Sequence, residues 1–341
     1  MNATQLGRAF FKPKWPSTIA RRGVQNQAQA PRPRRPSQRP PISRRPSKAE
    51  PEGHPNPNYK GPTMSPRLMT FLGISVLGIS SYCGFLYASY SREVSKSQAL
   101  DIPTDVSDRY NTTAPTFDAE VELSEKAMRM GSKRADLIRL ARGDVLEVSC
   151  GTGRNLEYYD LGERRGVDED GKAAILGCRT LTFVDLSPQM VAIAEEKFEA
   201  LHPGYKSQSP PVTFRAQDAA SVTVTAGAPM GENKKAYYDS IVQTMGLCSM
   251  PDPVRTLRHL GEITEPKNGR ILLLEHGRSH YNWLNRILDN LAPAHADRHG
   301  CWWNRDIGAI VKESGLEIVE EKRWHFGTTW RYVLRPRASS E

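Results

Sequence analysis

The sequence predicts an α/β fold: a parallel sheet flanked by helices and closed by a terminal hairpin, preceded by one transmembrane helix. Three observations carry this. Short β-prone runs alternate with helical ones between Val145 and Ser314, the pattern that builds a parallel sheet. Two further strand-like runs, Ile318–Phe326 and Thr329–Leu334, meet at Gly327-Thr328 as a hairpin. Leu68–Ala88 carries no charge over 21 residues.

The N-terminal part differs in composition from the rest. Residues 1–67 hold 14 Lys/Arg against two acids, Glu50 and Glu52, which leaves 33 basic and 36 acidic residues in 68–341. The net charge of +9 therefore belongs to the leader. A nucleic-acid partner is not expected, because its basic footprint should lie on the folded domain. An Arg-rich, acid-free start reads as a mitochondrial transit peptide over 1–45. Thirteen of the 25 prolines precede residue 67, so 46–67 reads as a disordered Pro-rich segment. Five widely spaced cysteines without C-x-x-C exclude a disulfide scaffold.

The uncharged run would span about 31 Å as a helix, close to the hydrocarbon thickness of a bilayer. A single-pass transmembrane helix is placed over 68–90, with Tyr82, Tyr87 and Tyr90 clustered at one end as interfacial aromatics are. Ser80, Gly84 and Ala88 form a small-residue face that could meet another inner-membrane protein. The basic leader on the N-terminal side puts the large domain in the intermembrane space. Residues 91–115 read as a polar linker before a domain over 116–336.

Within that domain Phe117–Ala141 reads as helical. The strand-like runs are Val145–Val148, Leu181–Val184, Val212–Arg215, Ser240–Thr244 and Ile271–Leu274. Helical runs follow at Leu156–Leu161, Gln189–Leu201, Val254–Ile263 and Ile307–Ser314. The polar stretches Gly162–Lys172 and Ala226–Lys235 read as surface insertions.

Val145–Asn155 reads V-L-E-V-S-C-G-T-G-R-N. In open parallel sheets ligands sit at the carboxyl ends of strands. Gly151 and Gly153 let the backbone approach a ligand, and a helix beginning near Asn155 would aim its N-terminus there. A dinucleotide and S-adenosylmethionine both fit. A dinucleotide fingerprint wants glycine at 156 for the pyrophosphate, and Leu156 stands there. An NAD-dependent oxidoreductase is thereby disfavoured. S-adenosylmethionine needs no pyrophosphate site. Glu147 is placed for its ammonium, Asp185 for both ribose hydroxyls and Asp218 for the adenine edge.

These blocks, with F-V-D-L-S-P-Q-M, Q-D-A, Q-T-M-G-L-C-S-M-P-D-P, L-L-L-E-H-G and A-H-A-D-R-H-G-C-W-W-N-R-D-I, resemble the class I methyltransferases of the ubiquinone/menaquinone-biosynthesis type. With leader and span, the whole chain is similar to fungal mitochondrial inner-membrane methyltransferase-like proteins. The resemblance implies a Rossmann-like seven-stranded sheet with the last strand antiparallel and S-adenosyl-L-methionine as cofactor. It implies that Glu147, Ser149, Gly151 and Gly153 line the methionine end, and that Asp185 holds the ribose. Met190 would pack near the adenine, Asp218 and Ala219 would meet the base, and Gln243 would lie by the sulfonium. Ser149 stands where many members have glycine.

Methyl transfer needs alignment and exclusion of water more than acid–base chemistry. A base is needed only for a weakly acidic acceptor. His276, His280 and His299 are the catalytic candidates, in a neighbourhood that also holds Glu275, His295, Asp297 and Arg298. The sequence leaves the acceptor open: the resemblance and the membrane span imply a small or lipid-like molecule such as a quinone intermediate, with RNA or a protein side chain as alternatives. His276-x3-His280 and His295-x3-His299-x-Cys301 resemble ligand spacings, but a Pro-Ala-His loop should interrupt them, so no metal is expected. Instead, Trp302 and Trp303 should pack a lid over the acceptor pocket. The alternative to an enzyme is a catalytically silent assembly or scaffold protein that keeps the fold.

Overall fold

The computed structural model of the protein describes residues 64–167, 171, 173–205, 212–224 and 237–337. The transit-peptide segment, the Pro-rich segment up to residue 63 and the whole of the second insertion lie outside these residues.

The first helix, α1 (Pro66–Gln98), is long and apolar enough to cross a membrane. It does not stop at Tyr90. Residues 91–98 contain no glycine or proline, Ser91 and Ser95 are joined by a hydroxyl-to-carbonyl bond one turn apart, and Lys96 pairs with Glu93 at 2.8 Å. Helix α2 (Arg109–Thr113) lies inside the expected linker. The expected helix over 117–141 is two, α3 (Phe117–Ala127) and α4 (Met130–Ile138), broken where Arg129 takes a left-handed φ of 53°. The break lets α4 bury Met130, Leu137 and Ile138 while α3 buries no residue.

The remaining elements are β1 (Gly143–Val148), β2 (Arg164–Val167), β3 (Ala173–Leu176), β4 (Cys178–Asp185), α5 (Pro188–Leu201), β5 (Val212–Ala216), β6 (Ser240–Thr244), α6 (Pro253–Glu262), β7 (Arg270–His276), α7 (Asn282–His299), α8 (Ile307–Ser314), β8 (Glu317–Trp324) and β9 (Thr329–Arg335). Seven strands form one sheet in the order β5-β4-β1-β6-β7-β9-β8. Strand β9 pairs antiparallel with both neighbours, and the other pairings are parallel. This is the seven-stranded methyltransferase sheet with its last strand antiparallel. The first insertion is a two-stranded antiparallel hairpin, β2–β3, rather than a loop.

Strand alternation divides the core into two layers. Leu146, Val148, Ile241 and Leu273 pack with Leu257 and Leu260 of α6 and Val311 of α8. Val145, Phe183, Val242 and Leu272 pack with Leu137 and Ile138 of α4 and Phe198 of α5. Each fully buried side chain of this size contributes about 2 kcal/mol of transfer free energy.

Two other expectations are corrected. After β1 there is only a single 3-10 turn, Leu156–Tyr158, so no helix N-terminus is aimed at the glycine turn. The side chain of Asn155 is turned inward and bonded to Glu147 and Thr244. Helix α7 also runs straight through Pro293, where a loop was expected. The backbone groups flanking the proline are bonded from α1: Ser97 Oγ accepts from Ala294 N at 3.2 Å, and Gln98 Nε2 donates to Asn290 O at 3.0 Å. Tyr90 Oη accepts from Asn290 Nδ2 at 2.9 Å.

Candidate cofactor and acceptor site

Chain order reverses between β1 and β6, and a cavity of about 920 Å³, mouth included, opens at the carboxyl ends of β1, β4, β5 and β6. That is where open α/β sheets hold ligands. Ser149, at the end of β1, takes φ 52°, and Met245, at the end of β6, takes φ 57°. Left-handed backbone at non-glycine residues costs about 1 kcal/mol or more and gathers at functional sites. Ser149 thus occupies a conformation that glycine adopts freely.

Asp185 ends β4 and lines the cavity. Its Oδ2 accepts from Gly151 N and its Oδ1 from Ser187 N, each at 2.9 Å. Burial raises its pKa, and these backbone donors pull it partly back. Ser187 also caps α5 by accepting from Met190 N at 3.3 Å, which fixes Met190 against the cavity. Asp218 lies two residues past β5, accepts from Ala220 N at 2.9 Å and faces the same space beside Ala219.

A Cβ built on Gly151 would meet nothing within 4 Å, and its φ is +54°. The turn therefore leaves room for a ligand. Gly153 serves packing instead. A Cβ there would collide with Leu156 Cδ1 and lie 3.2 Å from the Ala194 backbone. It lets the turn pack on α5 and does not line the cavity.

Glu147 does not reach the cavity. It lies on the α4/α5 face of β1, is 1 % exposed, and accepts from Asn155 Nδ2 at 2.8 Å and Tyr159 Oη at 2.5 Å. Period-two alternation aims it at Arg134 rather than at the strand end. Burial raises its pKa to about 7 against the pull of Tyr159, Asn155 and Arg134. The folded chain then holds this proton more tightly than the unfolded chain, whose ordinary value is 4.5. The associated stability is fully present below about pH 4.5 and is lost as pH rises through about 7, a change of roughly 3 kcal/mol. Glu147→Gln is expected to flatten the pH dependence of the denaturation midpoint across that window. An unchanged slope would show that another group carries it.

Gln243 is also fully buried behind the cavity, with Nε2 3.6 Å from Met250 Sδ and no partner for Oε1 among the described residues.

The expected linker supplies much of the cover. Ser107 and Tyr110 line the cavity with Phe117 and Arg134, and Tyr110 Oη lies 2.8 Å from Ser249 Oγ. Helix α3 is pinned across the glycine turn by ion pairs: Asp118 with Arg154 and Lys197, and Glu122 and Glu125 with Arg154. Burial alone would raise the Asp118 pKa, yet Lys197, Thr152 and Arg154 hold it below the usual range. Arg134, itself 5 % exposed, joins Glu125, Asn155 and Thr244 at 2.7–3.1 Å.

A second cavity of about 1490 Å³, mouth included, adjoins the first and shares Tyr110, Phe117, Arg134 and Met245 with it. Val121, Met128, Met130, Leu288 and Trp303 make it largely apolar, and His276, His295 and His299 also line it. His299 Nδ1 lies 3.9 Å from Glu120 Oε2. His295 stacks on Trp303 at 3.9 Å, and burial with His276 and His299 nearby lowers its pKa to about 3. His280 is exposed and lines neither cavity; its ring sits against Gly327. Glu275 is buried and accepts from the backbone N–H of Gly246 and Leu247. Burial raises its pKa well above the carboxylate range.

Of the nine cofactor candidates, the structure brings Ser149, Gly151, Asp185, Met190, Asp218 and Ala219 to one cavity, and sets Glu147, Gly153 and Gln243 behind it. Sequence reading missed Tyr110, Phe117 and Arg134. The available signal was the aromatic pair Tyr110 and Phe117 flanking a polar stretch.

The residues present suit S-adenosylmethionine. Asp185 keeps carboxylate lone pairs free for hydroxyls, and Gly151 leaves an open backbone face; Leu156 stands where a third glycine would admit a pyrophosphate, and the two arginines lining the cavity, Arg134 and Arg154, are already paired with Glu125, Asp118 and Glu122. A sheet of this order, with such a cavity at its switch point, defines a class I methyltransferase. The chain belongs to the methyltransferase domain family, whose profile matches residues 118–321, and S-adenosylmethionine is its cofactor. Among relatives, it is 39 % identical over 236 residues to "Methyltransferase OMS1, mitochondrial" of Saccharomyces cerevisiae. The match takes in 68 % of this chain and 46 % of that protein, so the chain spans about half the length of the curated relative. Similar solved structures include the magnesium protoporphyrin IX methyltransferase of Synechocystis PCC 6803 with bound SAH, at 17 % identity and TM-score 0.44. That likeness covers 67 % of this chain and 98 % of that one. Another is the complex between the Haloferax volcanii Trm112 methyltransferase activator and a putative methyltransferase, at 14 % identity and TM-score 0.45. It covers 70 % of this chain and 100 % of that one.

Proposed function

We propose that this chain is an active S-adenosylmethionine-dependent methyltransferase, anchored in the mitochondrial inner membrane by α1, that methylates a lipid-like or quinone-type acceptor. The observation that carries the reading is the position of α7. One side of that helix holds Asn290 and Ala294 against the end of α1, while Leu288, His295 and His299 line the second cavity. The acceptor chamber thus shares a wall with the membrane-spanning helix. Ser97 meets Ala294, while Tyr90 and Gln98 both meet Asn290, so the C-terminal turns of α1 pack against the middle of α7. Tyr281, Trp283 and Phe326 at and beside the start of α7 are 49–67 % exposed, a chemistry that favours the membrane interface. The basic leader supports a large domain in the intermembrane space.

When bound, S-adenosylmethionine supplies a methyl group activated by the sulfonium. In this reading Asp185 takes the ribose hydroxyls, Asp218 and Ala219 take the base, and Met190 packs against the adenine. Ser149 and Gly151 hold the methionine end, while Gly153, Gln243 and Glu147 support the turn from behind. Tyr110 and Phe117, at the junction of the cavities, exclude water from the line of transfer. His299, which lines the second cavity with Glu120 3.9 Å away, is placed to take a proton from a hydroxyl acceptor.

The test uses the full chain in lipid vesicles with methyl-labelled S-adenosylmethionine and a mitochondrial lipid extract. Label is expected in the organic phase. Cofactor binding without label in lipid or quinone would sink the enzymatic reading and leave the silent assembly protein.

A further inference from the structure

We propose that Cys248, His276 and Cys301 bind one zinc ion whose fourth coordination position is open to the acceptor cavity. The three donors come from separate parts of the chain: the turn after β6, the last residue of β7, and the residue after the left-handed cap Gly300 that ends α7. One ligand atom from each lies within 4.8 Å of the others, and His276 Nε2 is 2.7 Å from Cys301 Sγ. Ligands of a tetrahedral zinc are roughly 3.5–3.8 Å apart, from bond lengths of about 2.3 Å to sulfur and 2.0 Å to nitrogen. Side-chain rotation alone covers the difference.

The backbone around the cluster is fixed from several directions. Trp302 N donates to Cys248 O at 3.1 Å, which ties the Cys301 segment to the Cys248 turn. Glu275 holds the same turn through Gly246 and Leu247. Gly277 N donates to Thr328 O at 2.9 Å, which sets the end of β7 and with it His276. Two thiolates and an imidazole favour zinc over hard cations. Two Cys and one His, with a free fourth position, is a composition used where a metal also meets a substrate. All three residues line the second cavity and none lines the first. Cys248 and Cys301 are 1 % and 4 % exposed, and a divalent ion would neutralise two buried thiolates. A Cys248–Cys301 disulfide would account for two of the three residues and leave His276 unexplained. The inference does not depend on methyl transfer.

The test is the metal content of the full chain, purified in detergent under reduction, together with its spectrum after loading with Co²⁺. One zinc per chain is expected, with a thiolate-to-cobalt charge-transfer band in the near ultraviolet. Cys248→Ser and Cys301→Ser should each lose stoichiometric zinc, while Cys83→Ser, on α1, should keep it. Far-ultraviolet circular dichroism reports whether the serine variants fold; if they do not, the wild-type cobalt spectrum decides by itself. The proposal is overturned if the folded, reduced protein takes up no stoichiometric zinc, if cobalt shows no thiolate band, or if the two cysteines are recovered as a disulfide from protein that takes up no metal once reduced.

Discussion

Asp185→Ala should weaken S-adenosylmethionine binding by at least about 100-fold. The carboxylate is fixed by Gly151 N and Ser187 N and still has lone pairs facing the cavity. Charge-assisted hydrogen bonds contribute about 1.5–3 kcal/mol each, and two ribose hydroxyls make two of them. The same substitution frees the N–H of Gly151, so the glycine turn loses one of its ties to β4 and keeps the bond from Cys150 N to Val184 O. Isothermal titration of the full chain in detergent measures the dissociation constant, with the melting temperature as a check on folding. A value within threefold of wild type in a folded protein would remove Asp185 from the cofactor site.

Arg134→Met should destabilise the fold by about 3 kcal/mol, the cost of removing one partner from a buried ion pair. Glu125 is 13 % exposed at its side chain and would keep only Arg154. Asn155 and Thr244 would lose the guanidinium that joins the turn after β1 to the end of β6. Chemical denaturation measures the loss. Adding Glu125→Gln to Arg134→Met should recover part of it, because the carboxylate is then no longer charged and under-partnered. Equal stability of wild type and Arg134→Met would show that the network is dispensable.

Much of the fold was legible because its signals are local. Alternating β-prone and helical runs marked every strand of the main sheet, and the Gly327-Thr328 turn marked the hairpin that makes β9 antiparallel. Residues at or just past strand ends, Ser149, Gly151, Asp185 and Asp218, converge because strand ends converge in any such sheet. Glu147 failed for the complementary reason: one residue inside the strand, the pleat sends its side chain to the other layer. The helix expected at Asn155 failed because Asn155 bonds Glu147 and Thr244. The continuity of α7 through Pro293 was illegible because the groups that sustain it, Ser97 and Gln98, lie almost 200 positions earlier. Tyr110, Phe117 and Cys248 escaped notice since only tertiary folding gives a lone aromatic or thiol its neighbours.

The stitching of α7 at Pro293 constrains how this protein can be cut. A soluble truncation starting beyond Gln98 would strip three hydrogen bonds from the beam that carries Leu288, His295 and His299, at the point where a proline already weakens it. Such a fragment would retain an intact nucleoside seat while the neighbouring chamber sagged. The end of α1 and the second cavity are therefore joined through α7, and removing the first should loosen the lining of the second.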